Sequence, residues 1–437
     1  MGNFSGGLNL KHNKHTTRYK PIKELPQPQK VILPLQQNLG CPNDPLVKVG
    51  DEVFEGQKIG DSSKFVSAPI HASISGKVVK IEKLPNPCGF DVASVVIEAG
   101  DGVRGKGYGV SPKKLGELTP EEIRKIVREA GIVGMGGAAF PTHVKLTPPA
   151  GKPIDTLIIN GCECEPYITA DHRIMLEWAD NVIYGALALG RALMVDRILI
   201  GIEDNKKDAV KTLNDSDEKH HAGRRSPIKI VKVETKYPQG GEKQLIKVLL
   251  NREVPSGGLP LDVGVVVNNV GTAVAAAEAL KHGAPLIKRV VTVTGSGIVE
   301  PHNLLVRIGT PFEELVKACG GLTGDAARVI MGGPMMGLAV SSLDIPVVKA
   351  TTCILVLNKK DAQAYEERDC IRCGRCIKVC PVGLMPNFLA DYAKLKNWEQ
   401  VEDYNVADCI ECGCCAYVCP SRIYLVQYFK VAKKELQ

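Results

Sequence analysis

At 437 residues the chain is too long for one ordinary hydrophobic core, and about 150 residues per domain sets an expectation of roughly three domains. A content of 44% hydrophobic and 24% charged residues excludes a mostly disordered chain. The 55 basic residues exceed the 48 acidic ones by only seven, no basic block stands out and aromatics are 5%, so nucleic acid is not an expected partner.

Residues 1–30 are polar and rich in Lys, His and Pro, and read as an extended arm. The first residues lack the apolar core of a signal peptide. The most apolar stretch, Val182 to Ile202, is interrupted by Arg191, Asp196 and Arg197, which argues against a transmembrane span. A cytoplasmic chain is expected, with membrane association only through partners. From Val31 to Glu98 short apolar runs alternate with Gly, Pro and Asp, the pattern of short strands. Asp44–Val53, Gly56–Gly60 and Ala68–Val78 together resemble a biotinyl/lipoyl-type barrel-sandwich hybrid. No Lys sits in the Ala68–Ser73 hairpin, so that resemblance implies the fold without a carrier arm.

A Gly-rich linker is expected at Gly100–Gly109. Thr119-Pro120-Glu121-Glu122 then opens a helix with an N-cap, a proline at the first helical position and a capping box, and Gly131 closes it. Short buried strands are expected at Asp155–Asn160, Arg197–Ile202, Ile228–Val233 and Val263–Asn268. Helices are expected at Ile174–Gly190, Asp204–Leu213, Gly241–Leu250 and Thr272–His282. This alternation argues a layered α/β domain. Residues 214–225 read as a polar loop in which His220 and His221 have no assigned role. Lys288–Asn358 is β-rich, with a strand at Val290–Gly295 and a short helix over Pro311–Ala318. The segment from about Ala362 is helical.

Nine of the 15 cysteines fall between Cys370 and Cys419, and in a long chain without a signal this favours metal ligation over disulfides. Cys370-x-x-Cys373-x-x-Cys376-x-x-x-Cys380-Pro381 recurs as Cys409-x-x-Cys412-x-x-Cys415-x-x-x-Cys419-Pro420. This is the bacterial ferredoxin run, so two [4Fe–4S] clusters are expected. In such paired runs the fourth Cys ligates the other cluster. One set is then Cys370, Cys373, Cys376 and Cys419, the other Cys380, Cys409, Cys412 and Cys415. Paired zinc sites would leave the third Cys and the Cys-Pro ending unexplained. Cys414 stands outside the repeat and is expected not to be a ligand.

Three further stretches carry polar groups or glycines where ligands bind. Gly134-Met135-Gly136-Gly137-Ala138-Ala139-Phe140 fits a dinucleotide fingerprint in form only: a helix precedes it, Pro141 interrupts the residues after it, and the Rossmann reading with Asp155 as ribose acid fails. Taken alone, the stretch weighs toward an ordinary Gly-rich loop, and nearby Lys145 toward a solvated cation. Asn160-Gly161-Cys162-Glu163-Cys164-Glu165-Pro166 comes after a strand, where open α/β sheets place ligands; alone it reads as an exposed acidic loop. The acidic neighbours disfavour redox thiolates at Cys162 and Cys164. Val267-Asn268-Asn269-Val270-Gly271-Thr272 fits a flavin's edge and, equally, helix capping by Asn269.

These stretches resemble the NADH-oxidising flavoprotein subunit of respiratory complex I. Gly134–Lys145 resembles its Gly-rich FMN loop, Asn160–Pro166 its Asn-x-x-Glu-x-Glu-Pro stretch, Gly241-Glu242 its Gly-Glu-Glu segment and Val267–Thr272 its Val-Asn-Asn-Val-Glu-Thr. Met135, Lys243 and Gly271 stand where that family has Arg, Glu and Glu. Over nearly the whole chain the resemblance is to the C subunit of the Rnf electron transport complex. It is carried by Phe4-Ser-Gly-Gly, Ala68-Pro-Ile-His-Ala-Ser, Asn160–Arg173, Met331-Gly-Gly-Pro-Met-Met-Gly337 and the two cysteine runs, in that order.

That resemblance implies a multidomain α/β chain. Its parts are an arm and barrel-sandwich hybrid (1–100), an α/β flavin domain (110–285), a β-grasp SLBB-type domain (288–358) and a two-cluster ferredoxin-like helical domain (362–437). It implies non-covalent FMN held by Gly134, Gly136, Gly137, Lys145, Asn160, Glu163, Asn268, Asn269 and Thr272, with Phe140, Glu165 and Glu242 on the nicotinamide side. NAD(H) is the implied substrate. The implied partners are the membrane subunits of an Rnf-type complex and a ferredoxin-like cluster-bearing subunit, at the cytoplasmic side of the membrane. No catalytic acid or base is required. Met331–Gly337 can be read as a cofactor loop, but a tight turn between strands is the safer reading. A microcompartment-type cobalamin reductase shares similar flavin and cluster modules, and a non-enzymatic adaptor would carry no flavin.

Overall fold

The computed structural model describes residues 2–87, 89–100 and 114–436, so nearly all of the expected 100–109 linker lies outside the described residues. The N-terminal strands form two small antiparallel sheets. Lys30–Pro34, Asp91–Ala99, Gly76–Pro85 and Glu52–Val53 make one; Asp44–Pro45, Lys58–Asp61 and Ile70–His71 make the other. Val31, Leu33, Ile59, Ile70, Ile74, Val95 and Ile97 fill the space between them. His71 is buried, and its desolvation holds the imidazole down to about 3.

Thr119 caps α1 (Pro120–Glu129) with the full capping box: its hydroxyl accepts the Glu122 N–H at 3.2 Å, and Glu122 Oε2 accepts the Thr119 N–H at 2.8 Å. The central sheet is wholly parallel. Its strands are β1 (Thr156–Asn160), β2 (Ile198–Glu203), β3 (Ile228–Val233) and β4 (Val265–Asn269), in the order β3-β2-β1-β4. The chain steps outward from β1 to β3 and then returns to β4 on the far side of β1. The boundary between β1 and β4 is therefore the topological switch point, where the carboxyl ends of an open α/β sheet leave a crevice.

Helices α2 (Ala170–Glu177), α3 (Ala179–Leu193), α4 (Lys207–His221), α5 (Glu242–Leu250) and α6 (Val270–His282) complete the domain. Gly185 lets α3 meet α6 backbone to backbone, since a Cβ there would lie 1.9 Å from Ala273 O. Two expectations are corrected. The single helix over Ile174–Gly190 is two helices broken at Trp178; the apolar pattern runs through the break and hides it. Residues 214–221 are the last turns of α4 rather than a loop. They are stabilised by Ser216 on Asp180 (2.6 Å), by His221 on Asp217 (3.0 Å) and by three basic residues at the helix C-terminus. Those turns are too polar to show helical periodicity.

β5 (Lys288–Thr294), β6 (His302–Arg307), β7 (Ala326–Met331), β8 (Leu338–Val340) and β9 (Cys353–Asn358) form a mixed sheet in which β5 and β9 are central and parallel. Helix α7 (Phe312–Ala318) supplies Phe312, Leu315 and Val316 to its core, giving the β-grasp arrangement. The C-terminal helices pack around Leu389, Val401, Val406, Leu425 and Phe429. The polar N-terminal arm is packed into the fold. Phe4, Leu10, Lys14 and Thr17 are buried, and Lys23–Glu24 adds a parallel edge strand beside β6.

Candidate functional site

Asn160 and Asn269 stand opposite one another at the carboxyl ends of β1 and β4. Asn160 folds back: its Nδ2 donates to Gly240 O at 2.9 Å and its Oδ1 accepts the Cys162 N–H at 3.0 Å. Asn269 caps α6 by accepting the Gly271 N–H at 2.7 Å, while its Nδ2 donates to Asp171 Oδ2 at 2.7 Å. Asn268, one residue earlier in β4, differs from both. It is 3% exposed, and neither its Nδ2 nor its Oδ1 has a hydrogen-bond partner among the described residues. Buried side-chain amides are nearly always paired, so this amide stands out at the switch point as a donor and an acceptor free to meet a ligand edge.

The Gly-rich loop is tied to this corner. Gly134 N–H donates to Phe140 O at 2.9 Å and closes the turn, with Phe140 half-buried. Thr272 Oγ1, fully buried, accepts the Met135 N–H at 3.0 Å and donates to Val133 O at 3.3 Å. Gly136 lies against the capping amide, where a Cβ would come 2.8 Å from Asn269 Nδ2, whereas a Cβ on Gly137 would meet nothing within 4 Å. The loop thus presents exposed backbone beside the crevice, as close approach to a ring or phosphate needs. Lys145, on the one-turn helix Thr142–Lys145, reaches Val267 O and Glu242 Oε1, both at 3.0 Å. Asp155 lies at the opposite end of β1, paired with Arg252 at 2.8 Å, which agrees with setting aside the Rossmann reading.

The acidic stretch after β1 is turned inward, not exposed. Glu163 is 6% exposed; its Oε1 accepts the Asp171 N–H at 2.7 Å at the start of α2. Lys14 from the arm sits 3.7 Å from Glu163 Oε2 and donates to the carbonyls of Glu163 and Ile168. Burial lowers the Lys14 pKa, and burial together with the Glu163 charge raises that of Asp171. Glu165 accepts the N–H groups of Met335 (3.2 Å) and Met336 (2.8 Å) in the turn between β7 and β8, and burial pushes its carboxyl up to about 7. A Cβ on Gly333 would fall 2.2 Å from Glu165 Oε2, so this glycine is what admits the carboxylate. Cys164 is pushed up to about 12, first by burial, and Cys162 is raised in the same way, so both stay thiols.

The cysteine runs adopt the same backbone twice. Arg372 and Glu411, Gly374 and Gly413, and Gly383 and Arg422 are equivalent pairs, and all six have positive φ between 53° and 78°. Cys370, Cys373, Cys376 and Cys419 line one cavity together with Asn387. Cys380 lies beside Cys409, Cys412 and Cys415, within electrostatic reach of each. Backbone N–H groups of Arg372, Leu384 and Glu411 approach Cys370, Cys380 and Cys409 sulfurs at 3.3 to 3.4 Å. The chemistry of both donor sets, four thiols with N–H donors to sulfur, fits iron–sulfur clusters. Cys373 is exposed, so the first set lies at the surface, while Cys380, Cys412 and Cys415 are buried. Cys414 is fully buried and packs with Leu10 and Tyr237. Lys14 and Tyr237 escape the sequence reading, and the Met331–Gly337 turn is legible as a turn but not as the partner of Glu165, because none of the three carries a local signal of what it touches.

Family models match in four places. The Nuo51 FMN-binding domain matches residues 127–278, the RnfC barrel sandwich hybrid domain 2–102, the SLBB domain 290–339 and the 4Fe-4S dicluster domain 363–420. The chain is 47% identical to the C subunit of the proton-translocating ferredoxin:NAD(+) oxidoreductase complex of Clostridium ljungdahlii, covering 100% of this chain and 94% of that one. It is 45% identical to the C subunit of the Na(+)-translocating ferredoxin:NAD(+) oxidoreductase complex of Acetobacterium woodii, covering 100% and 97%. Among solved structures, the fold is similar to an NAD+-reducing [NiFe]-hydrogenase crystallised in the H2-reduced state, with a TM-score of 0.53, 19% identity and coverage of 74% and 62%. An FMN domain and a two-cluster domain on one polypeptide define an iron–sulfur flavoprotein. Within that class, the chain belongs to the RnfC family, the C subunits of ion-translocating ferredoxin:NAD(+) oxidoreductase complexes.

Proposed function

We propose that this chain exchanges electrons with NAD(H) as the C subunit of an Rnf-type ferredoxin:NAD oxidoreductase, using FMN and two [4Fe–4S] clusters. The observation that carries the reading is the unpartnered, buried Asn268 amide at the switch point of a domain joined to two four-cysteine sets. FMN, when bound, converts between the hydride chemistry of nicotinamide and the one-electron chemistry of clusters.

The residues divide the remaining work. Gly134, Gly136 and Gly137 offer main-chain approach, and Thr272 holds the loop they form. Asn268 satisfies a ligand edge with one donor and one acceptor. Lys145 supplies positive charge near the end of β4, and Asn160, Asn269 and Glu163 brace the surrounding backbone. Phe140, Glu165 and Glu242 are the residues proposed for the nicotinamide side. Cys370, Cys373, Cys376 and Cys419 would hold one cluster, and Cys380, Cys409, Cys412 and Cys415 the other. No side chain need gain or lose a proton in the transfer itself.

The functional units are proposed to run over 1–100, 110–285, 288–358 and 362–437. No helix among the described residues is long and apolar enough to cross a membrane. Attachment to a membrane complex therefore falls to partner subunits, with this chain on the side where NAD(H) is available, the cytoplasmic one. The test is anaerobic purification with assay of released flavin, iron, sulfide and NADH-dependent reduction of an artificial acceptor. A preparation with two clusters and no flavin would overturn the reading.

A further inference from the structure

The polar N-terminal arm lies against the buried cysteine set. Gly7 N–H donates to Val379 O at 2.9 Å, next to Cys380. Gly6 has φ +67°, and a Cβ there would come 2.5 Å from Cys380 O; Gly7 has φ +78°, and a Cβ would come 2.6 Å from Tyr237 O. Both positions therefore demand glycine on two grounds, backbone conformation and space. Leu8 and Tyr237 exchange both backbone hydrogen bonds at 2.8 Å, and Lys236 Nζ donates to Phe4 O at 3.0 Å. Tyr237, 2% exposed, donates its hydroxyl to Cys412 O at 2.7 Å. Three residues further on, Gly240 O accepts from Asn160 Nδ2 at 2.9 Å. The short run Tyr237–Gly240 thus touches the candidate flavin crevice at one end and the Cys412 loop at the other, and the arm is pinned across it.

We propose that Phe4–Leu8 and Tyr237 form a clamp that registers the Cys380/Cys409/Cys412/Cys415 cluster against the flavin site, with Gly6 and Tyr237 as positioning residues for electron transfer between the two. This rests on the function proposed above. With FMN and both clusters in place, the two electrons of an NADH hydride would pass singly to the clusters, with the accompanying proton going to solvent. Tunnelling falls off steeply with separation, so a clamp that fixes the separation sets the rate. The clamp also bears on the cluster's potential, because the Tyr237 hydroxyl orders the loop carrying Cys412.

The test uses the full-length holoprotein, with Tyr237→Phe and Gly6→Ala beside the parent. Thr119→Ala, far from the clamp, controls for general loss of stability. Flavin, iron and sulfide are assayed first; a parent with iron but no flavin would defeat the proposed function and the clamp with it, whereas a flavin-loaded parent isolates the clamp as the thing tested. Rapid mixing with NADH then follows flavin bleaching and cluster reduction separately, and redox titration by electron paramagnetic resonance gives the cluster potentials. The expected result is parental flavin and iron in Tyr237→Phe, parental flavin bleaching, cluster reduction slowed about ten- to hundredfold, and a displaced potential for one cluster only. Gly6→Ala should show the same or a larger slowing. Parental cluster reduction and potentials in Tyr237→Phe would overturn the proposal, including the case where Gly6→Ala merely loses iron, because the segment would then serve assembly alone.

Discussion

Lys145 and Glu242 meet at 3.0 Å beside the end of β4, so the cation assigned to the flavin and the carboxylate assigned to the nicotinamide side form one pair. Both side chains keep some exposure, and an exposed pair contributes little to stability by itself. Lys145→Ala should therefore leave folding and iron content near the parent. It should weaken FMN binding about ten- to hundredfold, the loss of a charge-assisted contact of roughly 1.5–3 kcal/mol. Glu242→Gln should keep FMN. Flavin titration of both variants checks this, and equal affinity in Lys145→Ala and the parent would reduce Lys145 to a partner of Glu242.

Asn268 should give opposite signs in two measurements. Replacing a buried, unpaired amide by an apolar group of similar shape removes a desolvation cost of about 1–3 kcal/mol. Asn268→Leu apoprotein should melt above the parent. The same variant should bind FMN at least about tenfold less tightly, since it offers neither donor nor acceptor. A variant that melts higher and still binds flavin normally would place the ligand edge elsewhere.

Cys414 is buried among Leu10, Tyr237 and neighbouring apolar groups, outside the spacing shared by the two runs. Cys414→Ala should retain about eight iron and eight sulfide per chain. Cys412→Ala, by contrast, should lose close to half. Anaerobic metal and sulfide analysis separates the two, and half-loaded Cys414→Ala would mean that the ligand sets need redrawing.

Glu165 links stability to pH. Burial lifts its carboxyl from the ordinary 4.5 to about 7, so over that interval the folded chain holds a proton that the unfolded chain releases. Stability should fall as pH rises through the interval and level off above it. Glu165→Gln removes this contribution, so it should gain on the parent with rising pH, by up to about 3 kcal/mol. Denaturant midpoints of both proteins across the interval provide the measurement. Parallel midpoint curves would show that the Met335 and Met336 N–H groups already hold the ionised carboxylate at its ordinary pKa.

The sequence alone determined whatever depends on neighbours along the chain. The capping box at Thr119 and Glu122, the four strands of the flavin sheet and the doubled cysteine spacing are local patterns, and local patterns survive in one dimension. Even the two-way reading of Asn269 was legible, and its amide does cap α6. Tertiary structure alone decided which groups remain available. It buried Glu163 against Lys14, 149 residues away, and drew Glu165 onto a turn of another domain. It also spent Asn269 on Asp171 while leaving Asn268 unpaired. The arm at residues 4–14 shows the reason most clearly. Its lysines and glycines have the composition of a solvated tail, yet Gly6, Gly7 and Lys14 fit spaces assembled by three distant segments. A polar side chain reports its own chemistry, but its burial and its partners depend on surfaces that meet only after folding.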